Sequence, residues 1–171
     1  NVPGYSGESV AEHALALLLC LAKRILVSDR RIQKDKFRLE KGFELKGKTL
    51  GIIGLGNIGS RVAELALGIG MKVIACDRSP KQKPGVVMKN FDEVVGESDF
   101  ISLNTTHEDS NKDLINKDNI VKMKDGVMIV NTVDRDLVNE ADMAEAIKSG
   151  KIDSYAYEGE DLKNTPLAAL E

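Results

Sequence analysis

Apolar residues run along the chain in two different rhythms. Behind Ser9-Val-Ala-Glu12, which has the spacing of a capping box, they recur at helical intervals, and this predicts a long helix that starts there and ends at about Val27. Its apolar positions fall on nearly every side, so one small domain does not supply enough protein to cover it. Self-association or a further domain is the expected cover. A polar linker over residues 29–46 follows, and then the rhythm changes to short apolar runs at 49–54, 72–77, 100–103 and 127–131, with a weaker one at 152–157. Helical segments are expected between them at 58–67, 91–95, 117–123 and 140–149.

The short runs are rich in β-branched residues and continuous rather than alternating, as strands are when both faces of their sheet are covered. Strand and helix alternate, which predicts a doubly wound parallel α/β sheet, the Rossmann fold, preceded by the long apolar helix. No internal repeat or low-complexity segment interrupts it.

The first strand hands over to a helix through Gly54-Leu-Gly56-Asn-Ile-Gly59, and Asp77 closes the second strand 23 residues after Gly54. Gly54 allows a tight turn, Gly56 lets the backbone approach a pyrophosphate, and Gly59 lets the helix pack closely on the strand. The amides at the helix start then face the phosphate charge. Asp77 is placed to accept hydrogen bonds from the adenosine ribose and to repel a 2′-phosphate, which selects NAD. Arg78 and Ser79 follow it and would receive that phosphate if Asp77 turned away, so NADP is the alternative cofactor. A glycine turn without a ligand lacks this ordered context of strand, helix, strand and acid.

Composition narrows the picture. The chain has 171 residues, one domain's worth, with 42% hydrophobic and 30% charged residues, an ordinary globular balance. A net charge of −3 with mixed signs builds no basic face, so no nucleic-acid partner is expected. Cys20 and Cys76 have no metal-ligand spacing, no metal site is expected, and both are read as buried, reduced thiols of a cytoplasmic protein. The most apolar stretch, residues 14–22, is short of the roughly 20 residues that cross a bilayer and lacks the flanks of a signal peptide, so no membrane association is expected. Asn1 at the start and Pro166-Leu-Ala-Ala-Leu-Glu171 at the end suggest a piece of a longer two-domain protein.

Taken together, several runs resemble the D-isomer-specific 2-hydroxyacid dehydrogenases, the family of D-lactate, phosphoglycerate and formate dehydrogenases. They are Asn1-Val-Pro-Gly4, Val10-Ala-Glu-His13, the 50–59 glycine segment, Gly70-Met-Lys-Val73, Ser102-Leu103, Leu114-Ile-Asn116, Met123-Lys-Asp-Gly126 and Ile129-Val-Asn-Thr132. The resemblance covers nearly the whole chain. It implies a nucleotide domain inserted into a substrate domain, and a homodimer formed with help from the opening helix. It implies that Asn57 and Ile58 meet the pyrophosphate, that Thr105, Thr106 and Asn111 line the cofactor, and that Thr132, Val133 and Asp134 pass the nicotinamide end. Glu158 falls at the acid that holds the nicotinamide amide.

Departures from the family pattern lie at the catalytic positions. The family reads Asn-Thr-x-Arg-Gly where this chain reads Asn131-Thr-Val-Asp-Arg135, so Asp134 stands at the place of the arginine that grips the substrate carboxylate and Arg135 comes one residue late. Arg135 serves as the catalytic arginine only if the turn reshapes. Its alternative is a solvated surface charge. The family's catalytic glutamate lands on Lys163, leaving Glu160 or Asp161 as substitutes, in a stretch that reads equally well as a solvated acidic turn. The catalytic histidine is expected past residue 171. Of the two histidines present, His13 reads as a packed or capping residue and His107 as a loop residue near the cofactor edge. The implied activity is hydride transfer between NAD and a small 2-hydroxy or 2-oxo acid in the full-length protein, with this chain alone binding cofactor and catalysing little or nothing. The alternative is a non-catalytic relative that keeps NAD(H) as a structural or regulatory ligand. Another dinucleotide user, of the adenosylhomocysteinase kind, fits the quoted runs less well.

Overall fold

The computed structural model describes residues 7–35, 41–79, 81–159, 165–168 and 170. In chain order the elements are α1 (Gly7–Ala22), α2 (Ile25–Gln33), β1 (Thr49–Ile53), α3 (Asn57–Gly68), β2 (Lys72–Cys76), β3 (Val86–Met88) and α4 (Phe91–Glu97). Next come β4 (Phe100–Leu103), α5 (Lys117–Ile120), β5 (Val127–Asn131), α6 (Glu140–Ser149) and β6 (Ile152–Tyr157). Two 3₁₀ turns, Asp109–Asn111 and Arg135–Leu137, interrupt the loops after β4 and β5.

Six parallel strands lie in the order β3-β2-β1-β4-β5-β6, so the chain starts in the middle of the sheet and winds outwards in both directions. The topology reverses between β1 and β4, and in such sheets ligands bind at the carboxyl ends of the strands beside that reversal. Although the four inner strands β1, β2, β4 and β5 are mainly apolar and buried, their side chains still alternate between two cores. Leu50 and Ile52 of β1, Val73 and Ala75 of β2, and Met128 and Val130 of β5 pack with α1 and α3. Ile53, Ile74, Ile101, Leu103 and Ile129 pack on the opposite face with α4, α5 and α6. Two covered faces are what the continuous runs require.

The long helix is corrected. Ser9 and Glu12 lie inside α1 rather than at its cap, and the helix ends at Ala22. Arg24 takes a left-handed backbone, φ 56°, and α2 starts at the next residue. The break is imposed from a distance: Arg24 donates to both carboxylate oxygens of Asp153 on β6, at 2.6 and 2.8 Å, and its guanidinium stacks over Phe43. Residues 29–33, assigned to the linker, are helical. Burial in α1 is also one-sided, at Ala11, Ala14, Leu18 and Ala22, and α2 exposes the large apolar side chains Ile25, Leu26, Val27 and Ile32. Among the described residues no helix is long and apolar enough to cross a membrane.

Elsewhere the expected strands and helices are present within a few residues. β3 was not anticipated, and α5 is a single turn that ends at Ile120 rather than at Met123. Cys20 and Cys76 are free but half-buried rather than buried.

Candidate functional site

A cleft of about 440 Å³ opens at the carboxyl ends of β1, β2 and β4. Its floor is the glycine turn. Gly54 has φ +93° and donates its amide to Cys76 O at 2.9 Å, and a side chain there would meet Thr105 N at 2.6 Å. Gly59 lies buried in the first turn of α3, where a Cβ would collide with the Gly54 carbonyl. Both glycines are therefore demanded by the protein's own packing.

Gly56 is different. It is the N-cap of α3, with an ordinary extended backbone, and a Cβ added there meets no atom of the described residues within 4 Å. Among the described residues no side chain caps α3 either, so the first-turn amides of Asn57 and Ile58 have no side-chain acceptor there. An open space over uncapped amides suits a phosphate group.

Asp77 follows β2, half-buried. Its Oδ2 accepts from Leu55 N at 2.7 Å and its Oδ1 from Ser79 N at 2.7 Å. The carboxylate thus pins the glycine turn, and each oxygen keeps further acceptor capacity. Arg78 lines the same cleft and pairs with Glu108 of the loop after β4 through two bonds of 2.7 Å. That guanidinium holds the Glu108 carboxyl below the usual carboxylate range. Cys76 also lines the cleft, and burial pushes its thiol up to about 11.

The opposite wall is Thr105, Thr106 and Asn111. Asn111 shapes this loop by donating to Thr106 O and accepting from Glu108 N, both at 2.8 Å. Near the ends of β4 and β5, three buried polar atoms have no hydrogen-bond partner among the described residues: Asn104 Oδ1, His107 Nε2 and Thr132 Oγ1. Buried polar atoms of this kind await a partner.

The turn after β5 carries the altered residues. Asn131, fully buried, accepts from Val133 N and donates to Asp134 O, fixing the turn. Asp134 caps the following 3₁₀ turn through Asp136 N, and its Oδ2 lies 3.5 Å from His107 Nδ1. The donor atoms of His107, Asp134 and Asp136 all lie within 4.8 Å of one another. Arg135 turns away to Glu140 at the start of α6, with its closest approach at 2.8 Å. Glu158, at the end of β6, is exposed and stands 3.4 Å from His13, which is exposed on α1 rather than packed or capping. Glu160, Asp161 and Lys163 lie outside the described residues.

The structure therefore brings Gly54, Gly56, Asp77, Arg78, Thr105, Thr106 and Asn111 around one cleft. Glu158 does not line it. Sequence reasoning missed the Glu108 partner of Arg78 and the His107–Asp134 contact. Neither leaves a signal, because the partners are far apart in sequence and meet only through the loops.

The D-isomer specific 2-hydroxyacid dehydrogenase NAD-binding domain model matches residues 15–171. The chain belongs to this family. The hydroxypyruvate reductase of Thermotoga maritima is 44% identical over 155 residues, 89% of this chain and 51% of that protein. The D-lactate dehydrogenase of Leuconostoc mesenteroides subsp. cremoris is 37% identical over 168 residues, 94% of this chain and 51% of that protein. Among solved structures, D-lactate dehydrogenase from Aquifex aeolicus complexed with NAD and lactic acid superposes with a TM-score of 0.86 at 37% identity, over 92% of this chain and 49% of that one. The chain thus spans about half the length of the relatives it matches. The family, the doubly wound parallel fold and the NAD cofactor expected from the sequence are borne out.

Proposed function

We propose that this chain is the dinucleotide-binding domain of a longer two-domain oxidoreductase, and that it holds NAD(H) across the cleft at the carboxyl ends of β1, β2 and β4. The observation that carries the reading is Gly56, a glycine that the protein's own packing does not require. The first-turn amides of Asn57 and Ile58 would take the pyrophosphate and Asp77 the adenosine ribose. Thr105, Thr106 and Asn111 would line the middle of the cofactor. Thr132, Val133 and Asp134 would pass the nicotinamide, and Glu158 would reach its amide. The unpartnered Asn104 Oδ1 and Thr132 Oγ1 support a ligand at that end.

In the full-length protein a bound nicotinamide would supply hydride chemistry toward a small 2-hydroxy or 2-oxo acid. This chain's part is to bind, orient and exclude water. Arg135 would grip the substrate carboxylate after exchanging Glu140 for it, and Glu160 would serve the acid/base step. Homodimerisation through the N-terminal helices would cover Ile25, Leu26 and Ile32. The two free cysteines fit a reducing, cytoplasmic setting.

A second reading has a specific observation in its favour. Asp134 occupies the arginine's place while Arg135 is engaged by Glu140, so the reacting end presents a carboxylate to an anionic substrate. On this reading the protein keeps NAD(H) as a structural or regulatory ligand. Calorimetric titration with NADH tests the shared claim, with micromolar binding expected and loss of affinity in Asp77→Ala. NADH consumption by the full-length protein with a panel of 2-oxo acids then separates the two: turnover supports the dehydrogenase, and binding without turnover supports the ligand-sensing relative.

A further inference from the structure

The rim of the cleft carries a cation that an NAD site does not need, and that cation is already occupied. Arg78 comes directly after Asp77, its side chain is 69% exposed, and both ends of its guanidinium fork meet the two carboxylate oxygens of Glu108 at 2.7 Å. Glu108 sits 30 positions further along, on the loop that forms the opposite wall. That loop is itself ordered by the two Asn111 bonds, one of them to Glu108 N. The pair therefore spans the ribose end of the cleft from one wall to the other.

A guanidinium next to the ribose acid is the group that recognises a 2′-phosphate, and it does so through the same two-pronged geometry that Glu108 now fills. We propose that Glu108 is a specificity-determining residue for the nucleotide: by occupying Arg78 it withholds the cation that a 2′-phosphate needs, and so reinforces Asp77 in favouring a ribose with a free 2′-hydroxyl. This rests on the NAD-binding reading of the cleft. A 2′-phosphorylated nucleotide has to displace one carboxylate from Arg78 while lying beside another, Asp77. The pair is exposed, so its share in the discrimination is moderate rather than absolute.

Three other cations compete for the same role, the first being Lys89, which lines the same cleft and pairs with Glu97. Lys81 and Lys83 line an adjoining hollow with Gly56 and Arg61, and a 2′-phosphate reaching that side would not depend on Glu108 at all. The experiment therefore needs three proteins. NADH and NADPH are titrated by calorimetry into the unaltered chain, Glu108→Gln, and Glu108→Gln combined with Arg78→Ala. Glutamine keeps the side-chain length and removes the charge. The proposal expects the ratio of NADH to NADPH affinity to fall about three- to tenfold in Glu108→Gln and to return in the double variant. An unchanged ratio in Glu108→Gln overturns it, and so does a gain for NADPH that survives loss of Arg78, which assigns the phosphate to one of the lysines Lys81, Lys83 and Lys89. Failure of the unaltered chain to bind either nucleotide removes the NAD reading and this proposal with it.

Discussion

Asp77 Oδ2 accepts a hydrogen bond from the Leu55 amide at 2.7 Å, so the residue assigned to the ribose also ties the end of β2 to the glycine turn. Replacement by alanine removes both functions together. Two bonds from backbone amides to a half-buried carboxylate are lost, costing about 1–3 kcal/mol, or about 2–4 °C of Tm per kcal/mol for a domain of this size. Asparagine retains one oxygen acceptor. Asp77→Asn is expected to melt between the wild type and Asp77→Ala while binding NADH at least as poorly as a ribose acid's loss predicts, about tenfold weaker. Thermal melts and titrations of both variants check this.

Gly59 and Gly54 meet the protein's own backbone, and their alanine variants fail for reasons that have nothing to do with a ligand. A methyl at Gly59 runs into the Gly54 carbonyl, where neither helix nor strand can yield without opening the core beneath. Gly59→Ala is expected to lose on the order of 3 kcal/mol, measured by urea unfolding.

The Arg78–Glu108 pair makes a pH prediction with a definite sign. The folded-state pKa of Glu108 is lowered, chiefly by its hydrogen bonds from Arg78, so the pair is intact above the ordinary glutamate range and dissolves as pH falls through the lowered value. Carboxyl-carbon NMR titration is expected to place Glu108 below an ordinary glutamate, and Arg78→Ala is expected to bring it back up.

Cys76 is a thiol, not a thiolate, at neutral pH, since burial raises it to about 11. Its alkylation by iodoacetamide at pH 8 is expected to be at least about tenfold slower than that of an unperturbed thiol. Because Cys76 lines the cleft, NADH is expected to slow the reaction further. Acceleration by NADH contradicts the placement.

What the sequence disclosed and what it hid have physical reasons. The four inner strands announce themselves because both faces are covered, the edge strand β6 less so because it is only half-buried, and the turn at Gly54, Gly56 and Gly59 because packing demands glycine at two of its three positions. β3 escaped because it is three residues long with an exposed middle, Val87. The break after α1 escaped because nothing local demands it: Arg24 is held in a left-handed conformation by Asp153, 129 residues away. The catalytic turn was legible as a departure, with Asp134 in the arginine's place, but its pairing with His107 and the capture of Arg135 by Glu140 depend on how the loops after β4 and β5 fold back.

The most direct test of the central claim is calorimetric titration of NADH into Gly56→Ser, set against its melting temperature. Serine is a good N-cap and its Cβ meets no atom of the described residues within 4 Å, so the fold should be at least as stable as the wild type. The account predicts an unchanged or raised Tm with NADH affinity at least about tenfold weaker, because the side chain occupies the space the pyrophosphate needs. Wild-type affinity in Gly56→Ser would contradict it and place the nucleotide, if one binds, somewhere other than this cleft.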